Sequence, residues 1–194
     1  MSVTANDLKL YLTGADSDGG VQSDADASLG KYRSSSEITS GELNNLFDDV
    51  GSAEASAGDT EYRCFCIKNE AAETLYNVKV WLYSENDPNS DQAISYAVEV
   101  PETANLTNGD AQSVGDESSA PTVNTTDHNG VGSGISDWDA GTTKETGQGV
   151  DQGAHDAHLD TGELIFIWVK RVISSSSQAQ SNMSFTIRLE GDTL

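Results

Sequence analysis

The chain has 194 residues, enough for one domain with a hydrophobic core, and its 32 acidic and 10 basic side chains give a formal net charge of −22. This charge repels phosphates and therefore argues against binding to a nucleic-acid backbone. It fits two interpretations: solubility with self-repulsion between copies, or adaptation to a high-salt habitat in which screening removes the repulsion.

The first part of the chain contains one predicted strand and one predicted helix. Residues 7–12 alternate apolar and polar side chains and predict a strand, and residues 14–30 are a loop of Gly, Asp and Ser. Ser40 is a suitable N-cap for a short helix, and residues 51–58 form a small-residue linker. The helix is expected to close one end of the core with three side chains of one face, Leu43, Leu46 and Phe47.

Five further segments are typical of β-strands. They cover residues 61–68, 76–83, 93–100, 163–172 and 184–189. The last two are predicted to form a final antiparallel pair, joined by residues 174–181, a polar turn of the kind that links such strands. About seven or more strands, these six among them, with one short helix predict an all-β fold, an antiparallel β-sandwich.

Residues 102–162 interrupt this pattern. They contain eleven Asp or Glu residues, the single cation Lys144 and few large apolar side chains. The sequence therefore predicts one β-sandwich domain over residues 1–194 with a long acidic, Gly/Asp-rich insertion at residues 102–162. An insertion of this length is too long for a plain loop. We expect at least part of it to order only against a partner; the alternative is a hairpin of its own near residues 133–138.

Two acidic stretches are candidate sites for a structural divalent cation, and no other cofactor is expected. The spacing of His155, Asp156 and His158 can place two imidazoles on one side of a turn. Asp16 and Asp18 resemble the alternating oxygen ligands of a calcium loop, although the terminal acid of such a loop is missing. The alternative is a solvated acidic loop or, for the histidines, a contact between subunits.

The sequence lacks the common catalytic motifs. It has no Gly-x-Ser-x-Gly, no phosphate-binding loop and no Gly-x-Gly-x-x-Gly that opens a helix. Carboxylates are the default polar residue of this chain, so a pair of them carries no information about catalysis. We therefore expect a protein that is not an enzyme.

Three aromatic residues are candidates for contacts with partners. Trp81 and Tyr83 share one face of the predicted strand 76–83, and that face is either core, a protein interface or a sugar-stacking platform. Trp138 lies between Asp137 and Asp139, which favours an anchor into a neighbouring subunit.

The cysteines Cys64 and Cys66 lie two positions apart on a predicted strand and point to the same face. A separation of about 6 to 7 Å is awkward for a mutual disulfide. Two buried small side chains are the simplest interpretation, and an intermolecular bridge or a metal pair is the alternative.

Neither a signal peptide nor a membrane span is expected. The apolar run within residues 8–12 is too short for the core of a signal peptide. The longest apolar run, residues 164–169, covers about a third of a membrane span.

Several stretches of the two β blocks resemble structural proteins of tailed bacterial and archaeal viruses. They are Leu43-Asn-Asn-Leu-Phe-Asp-Asp-Val, Gly58-Asp-Thr-Glu-Tyr-Arg-Cys-Phe-Cys-Ile-Lys-Asn and Leu75-Tyr-Asn-Val-Lys-Val-Trp. Two closing stretches are similar to the end of the same proteins, Ile167-Trp-Val-Lys-Arg-Val and Ser184-Phe-Thr-Ile-Arg-Leu-Glu-Gly-Asp-Thr. The resemblance does not extend to residues 102–162.

The resemblance implies a virion component, synthesised in the host cytoplasm, and carries over no catalytic residue. We expect a non-enzymatic capsid decoration (cement) or surface-projection protein that stabilises the particle through subunit contacts. Its expected partners are capsid or other virion proteins and further copies of itself, for example in a trimer, but neither nucleic acid nor a membrane. The alternatives are a tail or neck structural protein, or a β-sandwich module that binds a host surface or glycan.

Overall fold

The computed structural model describes residues 3–87, 90–101, 106–123, 135, 138–151 and 156–194. Its strands are β1 (Leu8–Ala15), β2 (Gly30–Glu37), β3 (Asp59–Asn69), β4 (Tyr76–Asn86), β5 (Gln92–Glu99), β6 (Asp110–Ser113), β7 (Gln148–Gly149), β8 (Leu164–Ile173) and β9 (Ser184–Asp192). One short α-helix, α1, spans Ser52–Ala57 in this part of the chain. The predicted all-β antiparallel sandwich with one short helix is confirmed.

The strands form two antiparallel sheets of unequal width. The larger sheet has six strands in the order β5-β8-β3-β1-β2-β6, and the smaller has three in the order β7-β4-β9. The longest register joins β3 to β8, from Asp59 opposite Ile173 to Lys68 opposite Leu164. The sheets pack face to face around a core to which both contribute alternate side chains, among them Phe65, Ile67, Val78, Val80, Leu82, Ile165 and Ile167.

Strand β8 is buried on both of its faces. Every residue from Leu164 to Val169 is 0% exposed, because β3 and β5 flank β8 in the sheet and a core covers each of its faces. Alternate side chains face the core between the sheets, and the others, including Phe166 and Trp168, belong to a second core on the outer side of the larger sheet. The continuous apolar run of this strand follows from its position between two cores.

The described part of the insertion covers this second core. Ala111 and Ile135 are buried there, and Trp138 packs against it from the surface. The insertion also extends both sheets, since β6 pairs with β2 and β7 pairs with β4. Two of its residues, Val150 and Leu159, are fully buried in the main core, so the described part of the insertion is an integral part of the domain.

Both cysteines are free and fully buried in the second core. Burial raises the pKa of the Cys64 and Cys66 thiols, which keeps them protonated. They act as small apolar side chains beneath the insertion.

The helix is displaced from its predicted position. Residues 40–50 form turns, because Gly41 and Asn44 have positive φ angles of 87° and 54°, which interrupt helical hydrogen bonding. The helix α1 lies instead in the predicted linker, where the Glu54 carboxylate accepts a hydrogen bond of 2.6 Å from the Gly51 amide and caps it. Leu46 and Phe47 still enter the core, whereas Leu43 is 75% exposed.

Strands β8 and β9 do not form the predicted final pair. β8 pairs with β3 and β5 in the larger sheet, and β9 pairs with β4 in the smaller one. The polar turn between them therefore carries the chain from one sheet to the other.

Candidate interaction surface

The two aromatic residues predicted on β4 have different environments. Trp81 is only 4% exposed: it belongs to the main hydrophobic core cluster, and Gly147 of the insertion lies against it. Tyr83 lies at a β-bulge between the pairs Leu82–Ile187 and Ser84–Thr186 and is 50% exposed. The Arg188 guanidinium carbon lies 3.8 Å from the centre of the Tyr83 ring. A partner can therefore reach Tyr83 but not Trp81.

Trp138 packs on its own domain. Its ring centre lies 5.5 Å from that of Tyr62, and the Lys170 ammonium lies 5.8 Å from it. Trp138 covers the outer side of the larger sheet, whereas Tyr83 belongs to the smaller sheet. The three predicted aromatic residues therefore do not form one surface.

The acidic residues predicted to bind a cation are engaged elsewhere. Asp16 pairs with Lys31 at 3.1 Å, and both oxygens of Asp18 accept hydrogen bonds from Arg33 at 2.9 and 3.0 Å. Each of the two carboxylates therefore binds a basic side chain of β2.

Only part of the second predicted cation site lies within the described residues. Asp156 accepts a hydrogen bond of 2.9 Å from the His158 amide, and the His158 ring packs edge-on against Tyr76 with the ring centres 4.5 Å apart. His155 lies outside the described residues. The described pair therefore shows a local turn and an aromatic contact.

Three other carboxylates, not singled out by the sequence, lie within 4.8 Å of one another: Glu54, Asp59 and Glu61. Each already accepts a hydrogen bond, from the Gly51 amide, the Thr60 amide and the Arg171 guanidinium respectively. Burial raises the pKa of Glu61, while Arg171 opposes that effect. The hydrogen bonds within the chain therefore account for the position of these three carboxylates.

Glu99 links the insertion to the sandwich. This carboxylate is 1% exposed, and it accepts hydrogen bonds from the Trp168 indole at 2.7 Å and from the Gln112 amide at 2.9 Å. Burial raises the pKa of Glu99 to about 7, against the opposing effect of the two hydrogen bonds. Glu99 therefore joins β5, β8 and β6 through one buried side chain.

Two sheet edges, those of β5 and β6, are closed by the chain itself. At the outer edge of β5, the amides of Ile94, Tyr96 and Val98 donate to the Glu85 side chain, the Asp139 carbonyl and the Gln148 side chain. At β6, the Gln112 side chain exchanges two hydrogen bonds with the backbone of Thr122. These contacts block the pairing of further strands.

The outer edge of β9 differs from the others. β9 has nine residues and pairs with β4 on one side; within the described ranges, no backbone hydrogen bond joins its other side. The side chains that face the core, Phe185, Ile187 and Leu189, are only partly buried. A long unpaired strand with an apolar face is a typical position for strand addition.

An apolar groove runs beside this edge, and we call it the β9 groove. It encloses about 500 Å³ between residues 180–187 on one side and residues 38–50 on the other. Its apolar lining comes from both sheets and from the turns, and includes Leu10, Ile38, Phe47, Phe65, Phe185 and Ile187. The groove exists because the smaller sheet covers only part of the larger one.

Acidic side chains surround the β9 groove. Glu42, Asp48 and Asp49 line it, and an adjoining cavity that shares Glu42 and Asp48 is lined by three further acids, Asp24, Asp26 and Glu37. Arg171, the cation among the described lining residues, is bound to Glu61 and Asp48 and lies 4.7 Å above the Phe47 ring. The charge available to a partner at the groove is therefore negative.

The sequence predicted β9 from its alternating apolar residues but did not reveal that β9 is an edge. Edge position depends on which strands pair, and the partner of β9, strand β4, begins more than a hundred residues earlier. No local pattern reports such a pairing.

Comparison with protein-family models, with curated proteins and with solved structures finds no match to this chain. Within the described ranges, no helix combines the length and the apolar character needed to cross a membrane.

Proposed function

We propose that the protein is a non-enzymatic structural component of a virus particle, and specifically a capsid decoration (cement) or surface-projection protein. The observation that carries the proposal is the free edge of β9 beside an apolar groove, in a molecule that closes its β5 and β6 edges with its own side chains and backbone. Such an edge suits assembly with another polypeptide. The resemblance of both β blocks to structural proteins of tailed viruses supports a virion as the place of that assembly.

The roles of the buried charged residues support a structural function. Arg171 is bound to Glu61 and Asp48, and Arg63 is bound to Asp26 and Glu117. Glu99 is bound to an indole and a backbone amide. Each group joins separate segments of the chain, which is what a scaffold requires of buried polar side chains.

The high negative charge supports a particle assembled in a salt-rich medium. Carboxylates keep a surface hydrated, and salt screens the repulsion between neighbouring copies. A symmetric homo-oligomer, such as a trimer, is part of this proposal, because repeated positions on a shell favour cyclic assemblies.

The composition of purified virus particles tests the proposal. Quantitative mass spectrometry that finds the protein at on the order of hundreds of copies per particle supports the capsid role, since a shell repeats its positions many times. About a dozen copies or fewer would assign the protein to the neck or tail instead. Absence from purified particles would overturn the proposal.

A host-surface or glycan-binding module is the second candidate, and the exposed ring of Tyr83 beside Arg188 is the observation that favours it. A glycan array with the wild type and the variant Tyr83→Ala distinguishes it. Specific binding that is lost in Tyr83→Ala supports this candidate, and Trp138→Ala serves as a control on the opposite face. Binding to no glycan rejects it.

A further inference from the structure

We propose that the β9 groove binds one extended segment of a partner polypeptide, which adds as a strand to the free edge of β9 and carries alternating apolar and basic side chains. This inference rests on the proposed assembly function and names the kind of partner that its site accepts.

The two sheets provide the backbone part of this site. Among the described strands, β9 pairs only with β4, so an incoming strand can form a regular ladder along nine residues. Below that position the larger sheet continues from β3 to β1. A strand added about 4.8 Å from β9 would therefore lie above apolar residues of the larger sheet, as a fourth strand of the smaller one.

Partly buried apolar side chains mark where the added strand would pack. Leu10 on β1 and Ile38 beyond β2 lie on one side of the groove, and Phe185 and Ile187 of β9 lie on the other. The groove volume of about 500 Å³ falls within the usual range for binding cavities, about 300 to 1,000 Å³. Because side chains of a strand alternate, every second residue of the segment would enter the groove.

The charge at the groove selects a basic segment. Glu42 and Asp49 are exposed on the wall opposite β9 and belong to no ion pair within the described ranges. Asp48 shares its wall and is half-exposed, although Arg171 contacts one of its oxygens. Lys or Arg residues of the partner would meet these carboxylates. A second copy of this chain, at −22, would add repulsion instead.

A pair of designed peptides tests the site. One ten-residue peptide alternates Val and Lys, and the other alternates Val and Glu. We expect the Val/Lys peptide to bind the full-length protein saturably and to protect the β9 amides, around residues 185–189, from hydrogen exchange. We expect at least tenfold weaker binding of the Val/Glu peptide. Absence of saturable Val/Lys binding would overturn the proposal.

Variants separate the groove from general attraction to an acidic protein. The double variant Glu42→Lys/Asp49→Lys should weaken binding of the Val/Lys peptide at least tenfold. The matched control Glu73→Lys/Glu145→Lys makes the same charge change at exposed residues that do not line the groove. Equal loss of affinity in both double variants, or binding without protection of β9, would show simple charge attraction and overturn the proposal.

A third variant tests the strand addition itself. Ile187→Lys places a charge on the groove side of the edge strand, a device that blocks edge pairing. We expect it to abolish protection of β9 by the Val/Lys peptide while thermal unfolding shows that the variant is folded. Unchanged protection in the folded variant would overturn the proposal. Since the charge-reversed variants leave the core intact, the test does not depend on Ile187→Lys alone.

Two outcomes concern the occupant and the function. Sedimentation of the protein alone, showing a dimer whose β9 amides are protected, would identify a second copy as occupant and overturn the basic-segment proposal. Failure of peptide binding for a protein that is abundant in virus particles refutes this inference and leaves the proposed function. If the protein binds the peptide but is absent from virus particles, the proposed function is refuted and the β9 groove remains a peptide-binding site.

Discussion

Glu99 is a buried carboxylate whose protonation is coupled to the stability of the fold. Burial raises the pKa of Glu99 to about 7 from a usual value of 4.5. The folded state therefore binds this proton more readily than the unfolded state does. The resulting stabilisation is complete below about pH 4.5 and is lost as the pH rises through about 7. Each pKa unit corresponds to about 1.4 kcal/mol, so the effect amounts to a few kcal/mol.

We predict that the variant Glu99→Gln removes this pH dependence. Between about pH 5 and pH 8, the Tm of the wild type should fall more steeply with pH than that of Glu99→Gln. The difference in slope should correspond to the release of up to one additional proton on unfolding of the wild type. Calorimetry across this range measures the difference. Glu42→Gln, at an exposed carboxylate, is the control and should follow the wild type. Parallel curves for the wild type and Glu99→Gln would contradict the prediction.

The ion pair of Arg171 and Glu61 is buried, with side chains 4% and 1% exposed. We predict that Arg171→Ala lowers the free energy of unfolding by about 3 to 5 kcal/mol, because it leaves the Glu61 carboxylate buried without its partner. Lys9→Ala, which breaks the more exposed pair of Lys9 with Glu37, should lower the free energy of unfolding far less than Arg171→Ala does. Urea denaturation measures both values.

A double variant checks the physical reason for this loss. Arg171→Met combined with Glu61→Leu removes both charges, and it should recover much of the stability lost in Arg171→Ala. If the double variant were as unstable as the single one, the loss would come from packing or from the Asp48 contact rather than from an unpaired charge.

At the scale of the elements, Gly30 fixes the junction of β2 and β6. Its φ is +89°, and a Cβ there would overlap the carbonyl oxygen of Gln112. Gly41 has a similar φ of +87°, but a Cβ there meets nothing within 4 Å. Replacing either glycine by alanine therefore costs the strain of a left-handed backbone, about 1 to 2 kcal/mol. Only the replacement at Gly30 adds a steric clash.

We predict that Gly30→Ala destabilises the protein by at least about 2 kcal/mol more than Gly41→Ala, because β6 must move away from β2. Chemical denaturation gives the two free energies, and hydrogen exchange of the β6 amides locates the damage. Equal losses for the two variants would show that the backbone conformation alone matters.

The sequence predicted strands where alternation or continuous apolar character was strong. β3, β4, β5, β8 and β9 fall in this class, because one or both faces are buried in a core. β2 was missed: its Ser34 is fully buried, but its residues Gly30–Glu37 are mostly polar and show no apolar face. β6 and β7 have four and two residues, too few for any period to be detected.

The candidate site was less predictable than the fold. Tyr83 and Trp81 were both singled out from the sequence; Tyr83 is exposed, whereas Trp81 is buried and belongs to the main core cluster. Asp16 and Asp18 were candidate cation ligands, and the sequence did not show that they pair with Lys31 and Arg33 of the neighbouring strand. Both outcomes depend on contacts between residues distant in sequence, which periodicity does not report.

At the scale of the whole molecule, the charge of −22 sets how the protein responds to salt. We predict that Tm rises between about 0.05 M and 1 M NaCl, over which the Debye length falls to about 3 Å and repulsion among carboxylates is screened. A variant with four exposed acids neutralised, at Glu42, Asp49, Glu73 and Glu145, should show a smaller rise. Calorimetry measures the two slopes, and a constant or falling Tm in the wild type would contradict adaptation to salt.

The central position of β8 has a consequence for folding. Its neighbours β3 and β5 begin at Asp59 and Gln92, whereas β8 begins at Leu164. Until β8 is inserted, both neighbours present unpaired edges to other chains, so we expect slow folding through a species that is prone to aggregate. The acidic residues 102–162 separate β5 from β8, and we expect their repulsion to keep such incomplete chains apart. The insertion would thus protect the chain during folding before its described part covers the finished sheet.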